Sequence, residues 1–259
     1  MAAYEKVQAA RAKGRPTAMQ FIRAIFTDFI EMHGDRRFAD DGAIVAGVAM
    51  LNDLPVTVIG LEKGVDTPEK VARNFGAANP EGYRKALRQM KLAEKFRRPI
   101  LCFVDTSGAF CGLGAEERGQ GLAIAENLME MMALTVPVIA VVIGEGGSGG
   151  ALALASANQV WMLENAIYSV ISPEGAASIL WKDAKKTKEA SEALKLTAQD
   201  LMALGVIERI FQEPADFSAL YTELKEAFVS ALHEYETLDG KTIADIRYHK
   251  FRSIGGQPL

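Results

Sequence analysis

The residues best suited to chemistry are glycines that follow a buried strand. Residues 144–150 read GEGGSGG and lie between the apolar run 136–143 and a short apolar helix. Glycines at the start of a helix let several backbone N–H groups point at one spot, with the positive end of the helix dipole behind them. Such a nest stabilises an enolate or another oxyanion without any side chain. The run therefore predicts an oxyanion-binding site, and we expect a positive φ angle at Gly147.

The same run also matches the dinucleotide-binding fingerprint. Gly144, Gly146 and Gly149 have the G-x-G-x-x-G spacing, and Glu164 follows at about the distance of the acid that binds a ribose. The fingerprint normally belongs to the first strand–helix unit of its domain, whereas several strands precede this run. This interpretation stays open.

A third match is the nucleophile elbow of serine hydrolases. Gly146, Ser148 and Gly150 have the G-x-S-x-G spacing, and His233 and His249 lie downstream, in the order that a catalytic base requires. Both histidines fall in a polar helical tail, and no oxyanion motif of the His-Gly-Gly type lies upstream. A tight strand-to-helix turn without any ligand is the plainest alternative.

A second glycine-containing loop supports the backbone interpretation. Residues 105–114 (DTSGAFCGLG) also follow a buried strand and precede a helix. Asp105, at the strand end, is suited to bracing this loop or capping the helix, and it is also a candidate acid. Two such loops at the ends of successive strands predict one cleft between them, or one amide from each.

The elements that position these loops alternate as in an α/β protein. Residues 62–79 predict a long, mobile loop at the rim of the cleft. No linker or charge block divides the chain, so we predict one domain over 1–259, with a helical extension over 1–33 and a mostly helical part over 183–259. The predicted helices are 17–33, 80–98, 115–134, 151–157 and 173–181, and the predicted strands are 43–51, 54–61, 99–105, 136–143, 159–163, 166–171 and 206–211.

Composition excludes several classes of protein. Of 259 residues, 49% are apolar and 24% are charged, with a net charge of −4 and no basic stripe, so a nucleic-acid role is not expected. The two cysteines, Cys102 and Cys111, are too few for a four-cysteine zinc site. The start of the chain lacks an apolar signal region, and glycines and Pro137 interrupt the most apolar stretch. We therefore expect a cytoplasmic protein that does not cross a membrane.

Longer runs make the chain resemble the α-subunit family of bacterial acetyl-coenzyme A carboxylase carboxyltransferases. The resemblance implies a crotonase-like spiral of repeated strand–strand–helix units. It also implies transfer of a carboxyl group from carboxybiotin, held on the biotin carboxyl carrier protein, to acetyl-CoA, which gives malonyl-CoA for fatty acid synthesis. The matching runs are GDRRFADDGAIVAG (34–47), NFGAANPEGYRKALR (74–88), GAEERGQ (114–120), VIGEGGSGGALA (142–153) and YSVISPEGAASILWK (168–182).

The resemblance further implies partners and cofactors. The chain would be active only with a β subunit, in an α₂β₂ assembly that works with biotin carboxylase. Zinc is expected in the β subunit and no metal in this chain. Biotin would arrive on the carrier protein and would not be attached here.

Carried onto this sequence, the resemblance assigns roles to glycine backbone. Gly146 and Gly147 would form the oxyanion hole for the biotin ureido oxygen, and Gly108, Ala109 and Gly112 would line the same cleft. Where the family commonly has proline, tyrosine and proline, this chain has Ser107, Phe110 and Cys111. The lost prolines predict a less rigid loop, and the lost hydroxyl argues against catalysis by residue 110.

Two rival functions remain at this stage. One is a self-sufficient crotonase-type or serine hydrolase that acts on a thioester. The other is a non-catalytic scaffold that docks a biotin carrier. Turnover by the chain alone favours the first rival, and turnover that is indifferent to the glycine run favours the second.

Overall fold

The computed structural model describes residues 1–256 and is built around one eight-stranded sheet. The strand order is β1-β2-β3-β4-β5-β6-β8, and β7 pairs with the end of β5. The strands are β1 (Thr27–Glu31), β2 (Ile44–Leu51), β3 (Leu54–Leu61), β4 (Ile100–Thr106), β5 (Val138–Gly147), β6 (Gln159–Leu163), β7 (Ile167–Ser169) and β8 (Arg209–Phe211).

Helices connect and flank these strands. They are α1 (Ala3–Ala10), α2 (Ala18–Ile25), α3 (Thr67–Ala72), α4 (Pro80–Lys95), α5 (Leu113–Glu117), α6 (Gln120–Ala133), α7 (Ser148–Ala155), α8 (Pro173–Leu180), α9 (Thr187–Ala193), α10 (Ala198–Ala203), α11 (Ser218–His233) and α12 (Gly240–Ser253).

The topology gathers the functional loops at one edge of the sheet. β2 and β3 form the predicted antiparallel hairpin, and β3, β4, β5 and β6 pair in parallel. Every residue of β4 is buried, as the continuous apolar run 99–105 predicts for an inner strand. Because parallel strands end at the same edge, the segments after β3, β4 and β5 meet there.

The predicted helix 17–33 is wrong beyond Ile25. Residues Thr27–Glu31 form β1, which pairs antiparallel with β2, so the extension 1–33 is not wholly helical. The apolar residues of α2 keep helical spacing and are buried, whereas Ile30 is exposed at the sheet edge. The local periodicity of residues 17–33 is typical of one long helix, but pairing with the distant strand β2 makes residues 27–31 a strand.

Two other predicted elements differ from those observed. The long loop 62–79 contains the short helix α3, which the side chain of Asp66 caps by accepting from the N–H of Glu69. The predicted helix 115–134 divides into α5 and α6 at Gly119, whose φ of +81° does not fit a continuous helix. Beyond residue 183, helices predominate in the described residues, and residues 257–259 of the predicted part 183–259 lie outside them.

The main apolar core joins the sheet to the flanking helices. Phe103 of β4 lies 5.6 Å from Phe21 of α2 and 6.1 Å from Phe228 of α11. Trp161 of β6 stacks on Phe228 with ring centroids 5.2 Å apart. Cys102, also in β4, is fully buried, and burial raises the pKa of its thiol to about 12. The inner strands β4 and β6 therefore pack against α2, near the start of the chain, and α11, near its end.

Candidate active site

The two glycine loops meet at the ends of β4 and β5. A Cβ atom on Gly147 would overlap the carbonyl group of Ser107, and a Cβ on Gly150 would lie 2.6 Å from the nitrogen of Ala109. Only glycine permits such close backbone approach. The structure thus brings Gly108 and Ala109 against the glycine run, as two loops lining one cleft require. Gly112 instead packs against the ring of Phe110.

The first half of the glycine run is strand and not turn. β5 continues to Gly147 and pairs with β7, with Gly146 opposite Tyr168 and Gly147 opposite Ser169. The expected positive φ at Gly147 is wrong, since its φ is −92°. The left-handed residue is Ser148, with φ at +57°. Pairing with β7 explains the difference, because a strand requires extended backbone.

Helix α7 starts directly after this strand. The first backbone N–H groups of a helix have no acceptor within it, and Gly147, as the residue before the helix, has no side chain to accept from them. A small cleft of about 20 Å³ borders this point, and Ser107, Gly146, Gly147, Ser169 and Ser172 are among its lining residues. The space suits one small polar group, and the donors next to it suit a negatively charged oxygen.

For the nucleophile-elbow interpretation, no histidine among the described residues is seen in contact with Ser148 to act as its base. His33 lies 2.8 Å from Asp40, His233 lies 2.9 Å from Glu236, and the ring of His249 makes an edge-to-face contact with Tyr248. All three histidines are exposed, and none of these contacts involves Ser148. A serine nucleophile needs a base within hydrogen-bond reach, so the arrangement does not support one.

The dinucleotide interpretation is not supported either. Gly144 and Gly146 belong to a strand that is buried against its neighbours, whereas the fingerprint requires a turn. Glu164 accepts a hydrogen bond from the N–H of Glu213 at 2.9 Å and so braces a neighbouring segment.

A charged cluster lies beneath the two loops. Asp105 accepts from the N–H of Glu145 at 2.8 Å, which is the bracing role considered for it. The Nζ of Lys63 lies 2.7 Å from Asp105 and 2.9 Å from Glu145, and the Nε of Arg11 lies 2.7 Å from Glu145. Glu174 completes the cluster, 2.8 Å from Arg11. Sequence reasoning missed Lys63, Arg11 and Glu145, because no local pattern links segments so far apart in the chain.

The cluster favours the charged forms of Lys63 and Glu145. Burial works to lower the pKa of Lys63, but the attraction of Asp105 and Glu145 outweighs it and raises that pKa. Burial likewise works to raise the pKa of Glu145, but Lys63 and Arg11 bring it below its ordinary value. Opposite charges at hydrogen-bond distance thus compensate the cost of burial.

An apolar cavity of about 350 Å³ adjoins the start of α7 on the side of Ser148 and Gly149. Its apolar wall includes Leu152, Val160, Leu201, Val206, Phe251 and Ile254. Across residues 1–256, no three side chains of His, Cys, Asp or Glu come together as metal ligands. In that same part of the chain, no helix is long and apolar enough to span a membrane.

Comparison with known proteins identifies relatives over the whole chain. The model of the acetyl co-enzyme A carboxylase carboxyltransferase-like family matches residues 1–255. The acetyl-coenzyme A carboxylase carboxyl transferase subunit alpha of Ruminiclostridium cellulolyticum is 60% identical over 256 residues, which cover 98% of each chain. A subunits beta/alpha protein of Natranaerobius thermophilus is 57% identical over 97% of this chain and 42% of its own length.

Solved structures share the fold. Transcarboxylase 12S superposes with a TM-score of 0.73 at 21% identity, over 88% of this chain and 42% of the transcarboxylase chain. The Pseudomonas malonate decarboxylase hetero-tetramer gives a TM-score of 0.68 at 18% identity, over 84% of this chain and 89% of that chain. The predicted crotonase-like α/β fold is confirmed. The chain belongs to the acetyl co-enzyme A carboxylase carboxyltransferase-like family and is a carboxyl-transferring component of acetyl-CoA carboxylase.

Proposed function

We propose that this chain is the α subunit of a two-subunit carboxyltransferase. Together with a β subunit, it moves the carboxyl group of carboxybiotin, presented by the biotin carboxyl carrier protein, to acetyl-CoA and releases malonyl-CoA. The assembly is α₂β₂, it works with biotin carboxylase in the cytoplasm, and its zinc lies in the β subunit. The single domain 1–259 contributes the biotin side of the shared site.

The observation that carries the proposal is the backbone contact between Ser107–Ala109 and Gly147–Gly150 beside the start of α7. The first N–H groups of α7 lie there without a histidine paired to Ser148, and such groups stabilise oxygen that gains negative charge. We assign Gly146 and Gly147 to the ureido oxygen and Gly108 and Ala109 to the facing wall, with Gly112 as a more distant contributor.

The donor set fits biotin. The cyclic urea of biotin carries the group to be transferred on nitrogen and presents an oxygen that needs hydrogen-bond donors. The proposed backbone site binds that oxygen, and an apolar cavity adjoins it at Ser148 and Gly149. Ser107 and Ser169 add hydroxyl groups to the lining of the cleft.

A partner is supported by two findings. A beta/alpha protein in which this chain matches 42% of the length has a homologous α region beside another part. The chain also exposes large apolar side chains, including Leu113, which follows Gly112, and Leu122 and Met129 of α6, at 77%, 65% and 68% exposure. Exposed apolar surface of this kind marks interfaces.

The proposal is tested first by reconstitution. The purified chain, given malonyl-CoA and biocytin, is expected to be nearly inert, and addition of the β subunit is expected to restore carboxyl transfer. Strong hydrolysis of acyl thioesters by the chain alone would instead support a self-sufficient hydrolase.

The second test compares adjacent residues in the assembled enzyme. Ser148→Ala is expected to keep activity within about threefold, because it retains the backbone N–H. Gly147→Val is expected to lose activity by about 10²–10³, the cost of one lost oxyanion donor in other enzymes. The physical reason is steric, since a side chain at residue 147 displaces the Ser107 carbonyl and separates the loops. Circular dichroism and β-subunit binding serve as controls. An inactive Ser148→Ala beside an active Gly147→Val would refute the backbone mechanism.

A further inference from the structure

The partly buried lysine near the glycine loops belongs to neither loop. Lys63 follows β3, and its Nζ lies 2.7 Å from Oδ1 of Asp105 and 2.9 Å from Oε1 of Glu145. These carboxylates belong to the ends of β4 and β5, and each side chain is only 10% exposed. Lys63 therefore links the strand that leads into the first glycine loop to the strand that contains the second.

The link extends into the backbone. The same Oδ1 of Asp105 accepts from the N–H of Glu145, the residue directly before Gly146. A Cβ atom on Gly144 would overlap the Asp105 carboxylate, so that carboxylate packs directly on the glycine strand. Any shift of the Asp105 side chain thus moves the peptide groups that lead to Gly146 and Gly147.

Within segment 62–79, Gly76 packs closely against Lys63. Gly76 has a φ of +79°, and a Cβ there would lie 2.8 Å from both the Asp105 carbonyl oxygen and Cγ of Lys63. The side chain of Lys63 is 19% exposed and is not among the residues that line the cleft. Its influence on a bound group must therefore pass through Asp105 and Glu145.

The charges around this lysine are balanced only while it is present. Glu145 has a second cation, since its Oε2 lies 2.7 Å from Nε of Arg11, which also holds Glu174. Asp105 has Lys63 alone as its ion-pair partner among the described residues. Without Lys63, Asp105 and Glu145 face each other as buried like charges and repel.

We infer that Lys63 is a positioning residue that keeps the Ser107–Ala109 loop and the Gly146–Gly147 strand at the separation at which their backbone N–H groups converge. This inference rests on the proposed oxyanion site. It assigns a task to a residue that does not line the cleft.

The experiment uses the assembled enzyme with malonyl-CoA and biocytin. Lys63→Met keeps side-chain length and removes the charge, and we expect kcat to fall about 10–100-fold, as for a misplacement near 1 Å. The KM for biocytin should change less than threefold. Lys63→Arg restores the charge and should recover most of the lost kcat.

A pH profile separates positioning from mere support of the fold. In Lys63→Met, repulsion raises the pKa of one carboxyl of the Asp105–Glu145 pair, while Arg11 and Glu174 remain paired beside it. Lowering the pH then removes the repulsion, so the activity of the variant relative to wild type should rise as pH falls. The double variant Lys63→Met/Asp105→Asn retains an acceptor for the Glu145 N–H, relieves the repulsion at all pH values and should lack this pH response.

Lys250 supplies a matched control. It forms a comparable pair with Glu208 at 2.7 Å and is 11% exposed, but it lies on α12. Lys250→Met should lower thermal stability and leave kcat unchanged. A kcat within threefold of wild type in folded Lys63→Met, beside an inactive Gly147→Val, would overturn the positioning role alone. Full activity of Gly147→Val would remove the proposed oxyanion site and this inference with it.

Discussion

Ser148 holds a left-handed backbone conformation at the start of α7, with φ at +57°. Its neighbours Gly147 and Gly149 have no side chains, and its own side chain is exposed. A left-handed φ costs about 1–2 kcal/mol for an L residue other than glycine. The strain falls on the residue between strand and helix, where the backbone must change direction within one residue.

Replacement of Ser148 by glycine should therefore stabilise the fold. We expect Ser148→Gly to raise the free energy of unfolding by about 0.5–1 kcal/mol, because relief of strain exceeds the entropy that glycine adds to the unfolded chain. Ser148→Ala keeps the Cβ and should leave stability within about 0.5 kcal/mol. Urea denaturation measures both, and equal stabilities of the glycine and alanine variants would contradict the strain.

Asp35 shows how a single carboxylate organises a loop. Its Oδ1 accepts from the N–H groups of Arg37, Phe38 and Ala39, and its Oδ2 accepts from Arg84 at 2.7 Å. Burial works to raise the pKa of Asp35, but these donors outweigh it, so the pKa lies below its ordinary value of 3.8. The charged form is therefore bound more strongly in the folded state than in the unfolded state.

The pH dependence of stability follows from the lowered pKa of Asp35 in the folded state. The contribution of Asp35 is fully present above its unfolded pKa and is lost as the pH falls through the lower folded pKa. At pH 7, Asp35→Asn should cost about 1–3 kcal/mol of unfolding free energy, the range for hydrogen bonds to a charged group. The difference from wild type should shrink below about pH 4. Urea unfolding from pH 7 to pH 3 checks this, with Asp53→Asn in the exposed β2–β3 turn as the control.

At the scale of elements, segment 62–79 is held in place at Gly64 and Gly76 and is exposed between them. Gly64 donates its N–H to Glu62, and Gly76 packs on Lys63 and Asp105. Between them, α3 buries none of its residues, and Val65 and Val71 are 61% and 60% exposed. Few buried contacts give a short helix little stability against local opening.

Hydrogen exchange tests the predicted mobility of this segment. Amides of residues 66–73 should exchange at least about tenfold faster than those of β3, β4 and β5, because their opening exposes little apolar surface. Peptides from α4, which starts at residue 80 and is well buried, serve as the internal control. Protection of α3 equal to that of α4 in the isolated chain would contradict a mobile rim.

At the scale of the whole molecule, helix α6 exposes large apolar side chains. Leu122 and Met129 of α6 are seven residues apart, two helical turns, and both point away from the core. Leu113, the first residue of α5, is exposed as well and directly follows Gly112. We propose that this exposed face takes part in binding the β subunit.

Charge on this face should impair association. We expect the isolated chain to self-associate at micromolar concentration, and Leu122→Glu/Met129→Glu to weaken both self-association and binding of the β subunit at least about tenfold, since charged groups are depleted from interface cores. Analytical sedimentation measures both. Val229→Glu, on an exposed apolar residue of α11, is the matched control and should bind normally. A monomer that does not shift when the β subunit is added would count against the assembly.

Several parts of this protein follow from the sequence by itself. The buried strands β4 and β5, the β2–β3 hairpin and helix α4 were predictable within a few residues, because apolar runs, a turn pair and helical periodicity are local signals. The family and its fold were also recognisable from long, specific runs such as residues 168–182. The glycine residues of both loops were visible as candidates, and their roles stay predictions.

Only the tertiary structure decided how these parts meet. Residues 27–31 form an edge strand and not a helix, and β5 extends through Gly147. The left-handed conformation expected at Gly147 is found at Ser148. It also assembled Arg11, Lys63, Asp105 and Glu145 from four distant segments. The physical reason is that strand pairing, and the pairing of buried charges, depend on residues that are remote in sequence. A local sequence pattern carries no information about which remote residues these are.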